Sequence, residues 1–349
     1  MMGFLKHFRI LSNDLAIDLG TANTVIWKNG EIVLNEPSIV AYDKTTDRIT
    51  QIGNDAQAMI GKVHRDIEIM YPMKDGVIAD PRVAEGMLRA YIGNIGGNWA
   101  RKIIVCVPSG VTEADKRIVR DTCEHAGAKE VHLIAEPMAG AIGIEFNGER
   151  LDVLEPKGNM IIDIGGGTTE IAVISAAGIV CEQSIKVAGN ALTEAILRYL
   201  RNEYKLIIGE RTATNFKHNA GSAYPLAQEL EFEVTGRDLV GGLPTSKSIS
   251  TVEIRENALA VPITTIINSI LNLLSQVPPE LAKDIYERGI WLTGGGALLK
   301  GLGQRIAEET GLQVHIPEEP LLAVARGTGY VLDNLNKYRS VLLKHNAYL

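Results

Sequence analysis

Apolar and polar positions along the chain fall into short blocks that read as strand, tight turn and strand. One such block is Ile17-Asp18-Leu19-Gly20-Thr21-Ala22-Asn23-Thr24, followed by the apolar run Val25-Ile26-Trp27. The plan recurs mid-chain as Ile162-Asp163-Ile164-Gly165-Gly166-Gly167-Thr168-Thr169, followed by Ile171-Ala172-Val173-Ile174. Each copy predicts a β-hairpin with a tight polar tip. Glycine lets a backbone approach a ligand closely, and successive N–H groups in such a turn make a concavity suited to phosphate. An acid just before the turn repels phosphate unless a divalent cation lies between them. Mg²⁺ commonly uses one or two carboxylates together with substrate phosphates.

Strands and helices alternate through the rest of the chain. Residues 103–107 read as a buried strand. Thr112 caps the next helix, with Asp115 three positions on. Ile118, Val119 and Cys123 form its apolar stripe, and Gly127 ends it. A strand over 131–134 leads to a helix opened by Pro137. In the second half, three strands over 160–185 precede a helix over 192–204. A late helix over 261–274, with Pro262 in its first turn, precedes a strand over 289–292 that opens into Thr293-Gly294-Gly295-Gly296-Ala297. This alternation predicts an α/β fold with mixed or parallel sheets. Two similar halves would hold a ligand between their hairpin tips and open or close around it. The stretches 209–225 and 236–247 read as polar and turn-rich.

Composition narrows the function classes. The chain has 349 residues, enough for two domains or one large split one. A formal net charge of −7 argues against nucleic acid as a partner. Three cysteines match no zinc or disulfide spacing and read as buried, reduced thiols. No apolar run in the sequence reads as a membrane span. Phe4, Leu5, Phe8 and Leu11 share one face at helical spacing, with Lys6 and Arg9 apart from it. That pattern suits the surface of an anionic membrane, and equally a helix packed on the body.

Asp18 and Asp163 occupy matching places in the two hairpins, which raises a metal site above the ordinary turn-capping role of a strand-end Asp. They are expected to orient water on the cation rather than ligate it directly. Thr21, Asn23, Thr168 and Thr169 supply donors near phosphate, although tip hydroxyls also stabilise turns by themselves. Gly294, Gly295 and Gly296 would let a base or phosphate lie flat on the backbone. Glu136, at a strand-to-helix turn, suits the helix dipole or the orientation of an attacking water. Lys217 would reach ribose hydroxyls or simply be solvated. No GxxxxGK[ST] run and no G-x-S-x-G elbow occurs.

Two Asp-bearing hairpins, a strand-end Glu136-Pro137 and a late Gly294-Gly295-Gly296 resemble the actin–sugar kinase–heat-shock chaperone superfamily. Within it, the chain is similar to the MreB family of bacterial rod-shape cytoskeletal proteins. Further matching stretches are Pro72-Met73-Lys74-Asp75-Gly76-Val77-Ile78-Ala79-Asp80, Val107-Pro108-Ser109-Gly110, Gly236-Arg237-Asp238-Leu239 with Gly242-Leu243-Pro244, and Pro278-Pro279-Glu280-Leu281-Ala282. The likeness extends over nearly the whole chain. It implies an actin-like fold with two α/β halves around a nucleotide cleft, each carrying a smaller subdomain. The expected division is a membrane segment over 1–11, a first core over 12–35, 73–148 and 320–340, and a first small subdomain over 36–72. The second core is expected over 149–185 and 252–319, and the second small subdomain over 186–251.

The resemblance also implies ATP with Mg²⁺, slow hydrolysis tied to polymerisation, and paired protofilaments of the chain with itself. It places these on the cytoplasmic face of the inner membrane, with cell-wall elongation membrane proteins as partners. By position, Thr21, Ala22, Asn23, Gly165, Gly166 and Gly167 contact phosphates, and Gly294, Gly295, Gly296 and Ala297 flank the nucleotide. Glu136, Thr168 and Asp163 serve hydrolysis, Asp18 and Asp163 the metal, Thr214 and Lys217 the ribose end. Trp99 and the face of Phe4, Leu5 and Phe8 meet the membrane. The chain departs from the family pattern at Thr214, where an acid is usual, and at Asn190, Asn219 and Ala135. Losing a charged hydrogen bond to ribose costs about 1.5–3 kcal/mol, so adenosine contacts are expected to be weaker. A divergent paralogue acting as a slow or non-hydrolysing regulator is the alternative implied by these departures. A small-molecule kinase is a further rival, but no acceptor motif is evident.

Overall fold

The protein is described by a computed structural model covering residues 13–96, 100–146 and 148–344. The expected membrane residues Phe4, Leu5, Phe8 and Trp99 lie outside these described residues.

Two five-stranded sheets share one topology. In the first, β1 (Leu15–Leu19), β2 (Asn23–Lys28) and β3 (Glu31–Pro37) form an antiparallel meander. β4 (Ala100–Val107) and β5 (Ala128–Ala135) extend it in parallel beyond β1, giving the order β5-β4-β1-β2-β3. Parallel neighbours need a crossover. The helix α1 (Pro81–Asn94) precedes β4, α2 (Glu113–His125) joins β4 to β5, and α3 (Glu136–Gly143) follows β5. Ile103, Ile104 and Val105 are fully buried, which explains why that strand reads as unbroken apolar sequence.

The second half repeats the plan. β6 (Asn159–Ile164), β7 (Thr169–Ser175) and β8 (Gly178–Ile185) form the meander, and β9 (Ile290–Thr293) and β10 (Val314–His315) the parallel extension. The order is β8-β7-β6-β9-β10. Its helices include α4 (Gly189–Glu203), α5 (Glu210–Ala220) and α6 (Thr251–Leu274), and α7 (Ala323–Asp333) follows β10 and packs back on the first sheet. Each half carries a three-stranded sheet as an insertion. One is built from Val40–Asp43, Arg48–Ile52 and Ile67–Met70, the other from Leu206–Ile207, Glu231–Asp238 and Pro244–Ser250.

Three departures from the sequence reading have physical causes. The late helix begins ten residues before position 261, at Thr251. A π-helical stretch, Ile254–Leu259, precedes Pro262 and loosens the turn that a proline ring would otherwise strike. The resulting helix has the length and apolarity of a membrane span, yet Ile254, Ile263, Ile266, Ile267, Ile270 and Leu273 are buried in the core of the second half. The polar stretch after Gly209 is largely helical, and it reads as a polar loop because α5 buries only Ala213, Phe216 and Ala220. The stretch around 236–247 belongs to a hairpin between Glu231–Asp238 and Pro244–Ser250.

Each half has its own core, and a third cluster joins them. It gathers Ile104, Ile134, Met138 and Ile142 from the first half with Ile161, Ile174 and Trp291 from the second.

Candidate functional site: two hairpin tips over buried carboxylates

The two tips close in the same way. Gly20 N–H donates to Asn23 C=O at 3.0 Å, and Gly165 N–H to Thr168 C=O at 2.9 Å. Asp18 pairs across its hairpin with Val25, and Asp163 with Glu170. The tips meet directly. A Cβ added to Gly166 would lie 2.7 Å from that of Ala22, and one on Gly167 would lie 2.6 Å from Thr21 Oγ1. No side chain fits there, so glycine is required by the close approach of the two backbones.

A third turn, which the sequence reading did not assign to the site, completes the junction. Asp75 and Gly76 link the short strands Met73–Lys74 and Val77–Ile78, both with positive φ. Gly76 N–H donates to Thr21 Oγ1 at 2.9 Å. A Cβ on Gly76 would strike Pro108 and Thr168.

Beneath the tips lie four carboxylates. Burial pushes Asp18 up to about 6, against a lowering hydrogen bond from Cys106. Burial pushes Asp163 up to about 7; Thr293 lowers it, while Asp18 and Glu170 raise it. Burial lifts Glu136 well above the usual carboxylate range, helped by the charges of Glu170, Asp18 and Asp163. Glu170 is fully buried and has no role in the sequence reading, although an acid inside an otherwise apolar strand is a legible signal. Ser109 donates to it through N–H (3.1 Å) and Oγ (2.6 Å), and Ser184 through Oγ (2.6 Å). Ser109 belongs to the first half and Ser184 to the second, so Glu170 ties the halves together.

The remaining candidates surround this junction. Gly294 has φ +80° and packs on Ile164 C=O, and Gly296 packs on the Ile164 side chain. The late glycines therefore answer an internal packing need. Gly295 and Ala297 lie in the 3₁₀ turn Gly295–Leu298 that follows. The N-terminus of α4 docks on the second tip, with Gly189 N–H bonded to Gly165 C=O and Asn190 N–H to Gly166 C=O. Lys217 Nζ donates to Gly189 C=O at 2.8 Å and Thr193 Oγ1 at 2.9 Å, and burial lowers its amine to about 8. Thr214 is half-buried on α5, one turn before Lys217. Tyr71, from the first half's insertion, donates to Glu210 on α5 at 3.2 Å.

A family model described as MreB/Mbl protein matches residues 12–340. The chain belongs to the MreB/Mbl family. It is 46% identical over 344 residues to the cell shape-determining protein MreB of Escherichia coli strain K12, spanning 96% of this chain and 97% of that one. The solved structure of MreB5 of Spiroplasma citri bound to ADP is 37% identical, with a TM-score of 0.87 over 93% of this chain and 97% of that one. A MamK double helical filament, 23% identical with a TM-score of 0.75, covers 92% of this chain and 99% of its own and shares the actin-like fold. In this chain the two tips and their carboxylates face each other across the halves.

Proposed function

We propose that this chain is a nucleotide-dependent, actin-like filament protein that scaffolds cell-wall elongation and sets cell shape. The observation that carries the reading is the meeting of two phosphate-type tips over clustered acids, in a chain of the MreB/Mbl family. The ADP-bound relative supports nucleotide binding.

The donor set fits a magnesium nucleotide. Among the described residues no group of three or more His, Cys, Asp or Glu side chains is arranged to hold a metal directly. Hard carboxylate oxygens set back beneath backbone amides instead suit a cation that keeps its waters. Asp18 and Asp163 would orient those waters. The backbone of Thr21, Ala22, Asn23, Gly165, Gly166 and Gly167 would hold phosphates. Mg²⁺, when bound, neutralises phosphate charge and relieves the repulsion among the acids. Glu136, with its raised proton affinity, and Thr168 would orient the attacking water. Thr214, Lys217, Gly294, Gly295, Gly296 and Ala297 would frame the nucleoside. Slow hydrolysis would then regulate a homopolymer of paired protofilaments. Phe4, Leu5, Phe8 and Trp99 would hold it on the inner membrane face, where elongation proteins join it. We keep the subdomain division proposed from sequence.

A second reading, a slow or non-hydrolysing regulator of such filaments, is favoured by Thr214, which stands where an acid is usual, and by Lys217, two of whose three donors are engaged by Gly189 and Thr193. Sedimentation with anionic liposomes, with and without Mg-ATP, tests the primary reading. Nucleotide-dependent pelleting is expected, and its absence at every protein concentration would overturn filament formation. Glu136→Ala should keep nucleotide binding and lower phosphate release at least tenfold; unchanged release would remove Glu136 from hydrolysis.

A further inference from the structure

In both halves the strand-end aspartate rests against a donor from the next parallel strand. Asp163 pairs in register with Thr293 on β9, whose Oγ1 donates to Asp163 Oδ1 at 2.7 Å. In the first half β1 runs beside β4 with Ile17 opposite Val105, one residue short of Asp18 and Cys106. Cys106 Sγ donates to Asp18 Oδ1 at 3.3 Å. The two donors end matching runs, Ile103-Ile104-Val105-Cys106 and Ile290-Trp291-Leu292-Thr293. Cys106 is 3% exposed. Its thiol can only donate to a carboxylate oxygen, which accepts.

We propose that Cys106 is a positioning residue for Asp18, the first-half counterpart of Thr293, and that it fixes the Asp18 carboxylate for the cation of a bound magnesium nucleotide. A carboxylate has two oxygens to offer, and a donor on one holds the group's rotation while the other remains an acceptor. Partners of this kind commonly change metal affinity by roughly 10–100-fold. A thiol is a weak donor, so the expected effect is smaller. The inference rests on the reading of Asp18 as the metal-orienting acid.

The test measures the affinity of a fluorescent ADP analogue with Mg²⁺ and with EDTA. Cys106→Ala should lose about three- to tenfold of the Mg²⁺-dependent affinity and keep the EDTA value, which also reports an intact fold. Cys106→Ser, which restores a hydroxyl donor, should recover it. In an Asp18→Asn background, Cys106→Ala should have no further effect. An equal loss in the Ala and Ser variants would make Cys106 a packing residue only. An unchanged Cys106→Ala beside a defective Asp18→Asn would overturn the positioning role and leave the metal reading standing. If Asp18→Asn itself keeps its full Mg²⁺ dependence, the metal reading fails and the positioning role with it.

Discussion

At the residue scale the acids beneath the tips are held at a cost. Asp163 moves from its ordinary 3.8 to about 7, chiefly through burial. The folded state therefore keeps a proton that the unfolded chain releases above about pH 4. Stability from this group is greatest below that point and falls as pH rises towards 7. Each unit is worth about 1.4 kcal/mol, and nearby relaxation reduces the total. Asp163→Asn removes the charge and keeps an oxygen to accept from Thr293. We expect it to stabilise the metal-free protein by about 1–3 kcal/mol at pH 8, with the gain fading towards pH 4.5. Urea denaturation at the two pH values checks this; a gain independent of pH, or a loss at pH 8, would contradict it. The same logic explains why a functional site can tolerate such a cluster. Its members repel until positive charge arrives, so ligand binding and relief of repulsion are coupled.

At the element scale the most legible features were local. Thr112 and Asp115 form a reciprocal cap, Thr112 Oγ1 accepting from Asp115 N–H at 3.2 Å and Asp115 Oδ2 accepting from Thr112 N–H at 3.1 Å. Thr112→Ala should cost about 1 kcal/mol in equilibrium unfolding, with nucleotide affinity unchanged; a loss below a few tenths would mean that the cap is redundant. The two hairpins and the strand of 103–107 were also readable, because turn chemistry and unbroken burial leave marks within a few residues. Helix α5 was harder, since a stripe of three buried residues hardly differs from a polar loop. The start of α6 was hidden by Pro262, whose accommodation depends on a π turn that no short window reveals. Glu170 and the Asp75-Gly76 turn carry no site role in the sequence reading, because their importance lies in partners far along the chain. Ser109 is remote from Glu170 in sequence, and Thr21 from Gly76.

At the scale of the whole molecule, the repeated topology places two equivalent helices back to back. Glu136-Pro137 precedes the body of α3, and Glu319-Pro320 precedes α7. They cross with backbone against backbone. A Cβ on Gly143 would lie 1.8 Å from Ala323 C=O, and one on Gly327 would lie 1.7 Å from Ala139 C=O. Helix α7 also packs on the first sheet, where Trp27 Nε1 donates to Asp333 at 3.3 Å. Any change in the angle between the halves must pass through this crossing or pivot on it. In an open helix position, Gly→Ala stabilises by up to about 1 kcal/mol, and Gly93 on α1 is such a position, with nothing near its added Cβ. Gly327→Ala has the same local propensity gain but must force the helices apart, and overpacking of that kind costs about 1–3 kcal/mol. The two substitutions should therefore move the thermal midpoint in opposite directions, Gly93→Ala upward and Gly327→Ala downward. Small-angle scattering adds a second readout. Mg-ADP should compact the wild type and Gly93→Ala, and compact Gly327→Ala less. If Gly327→Ala matches Gly93→Ala in both measurements, the crossing is not the constraint that holds the halves.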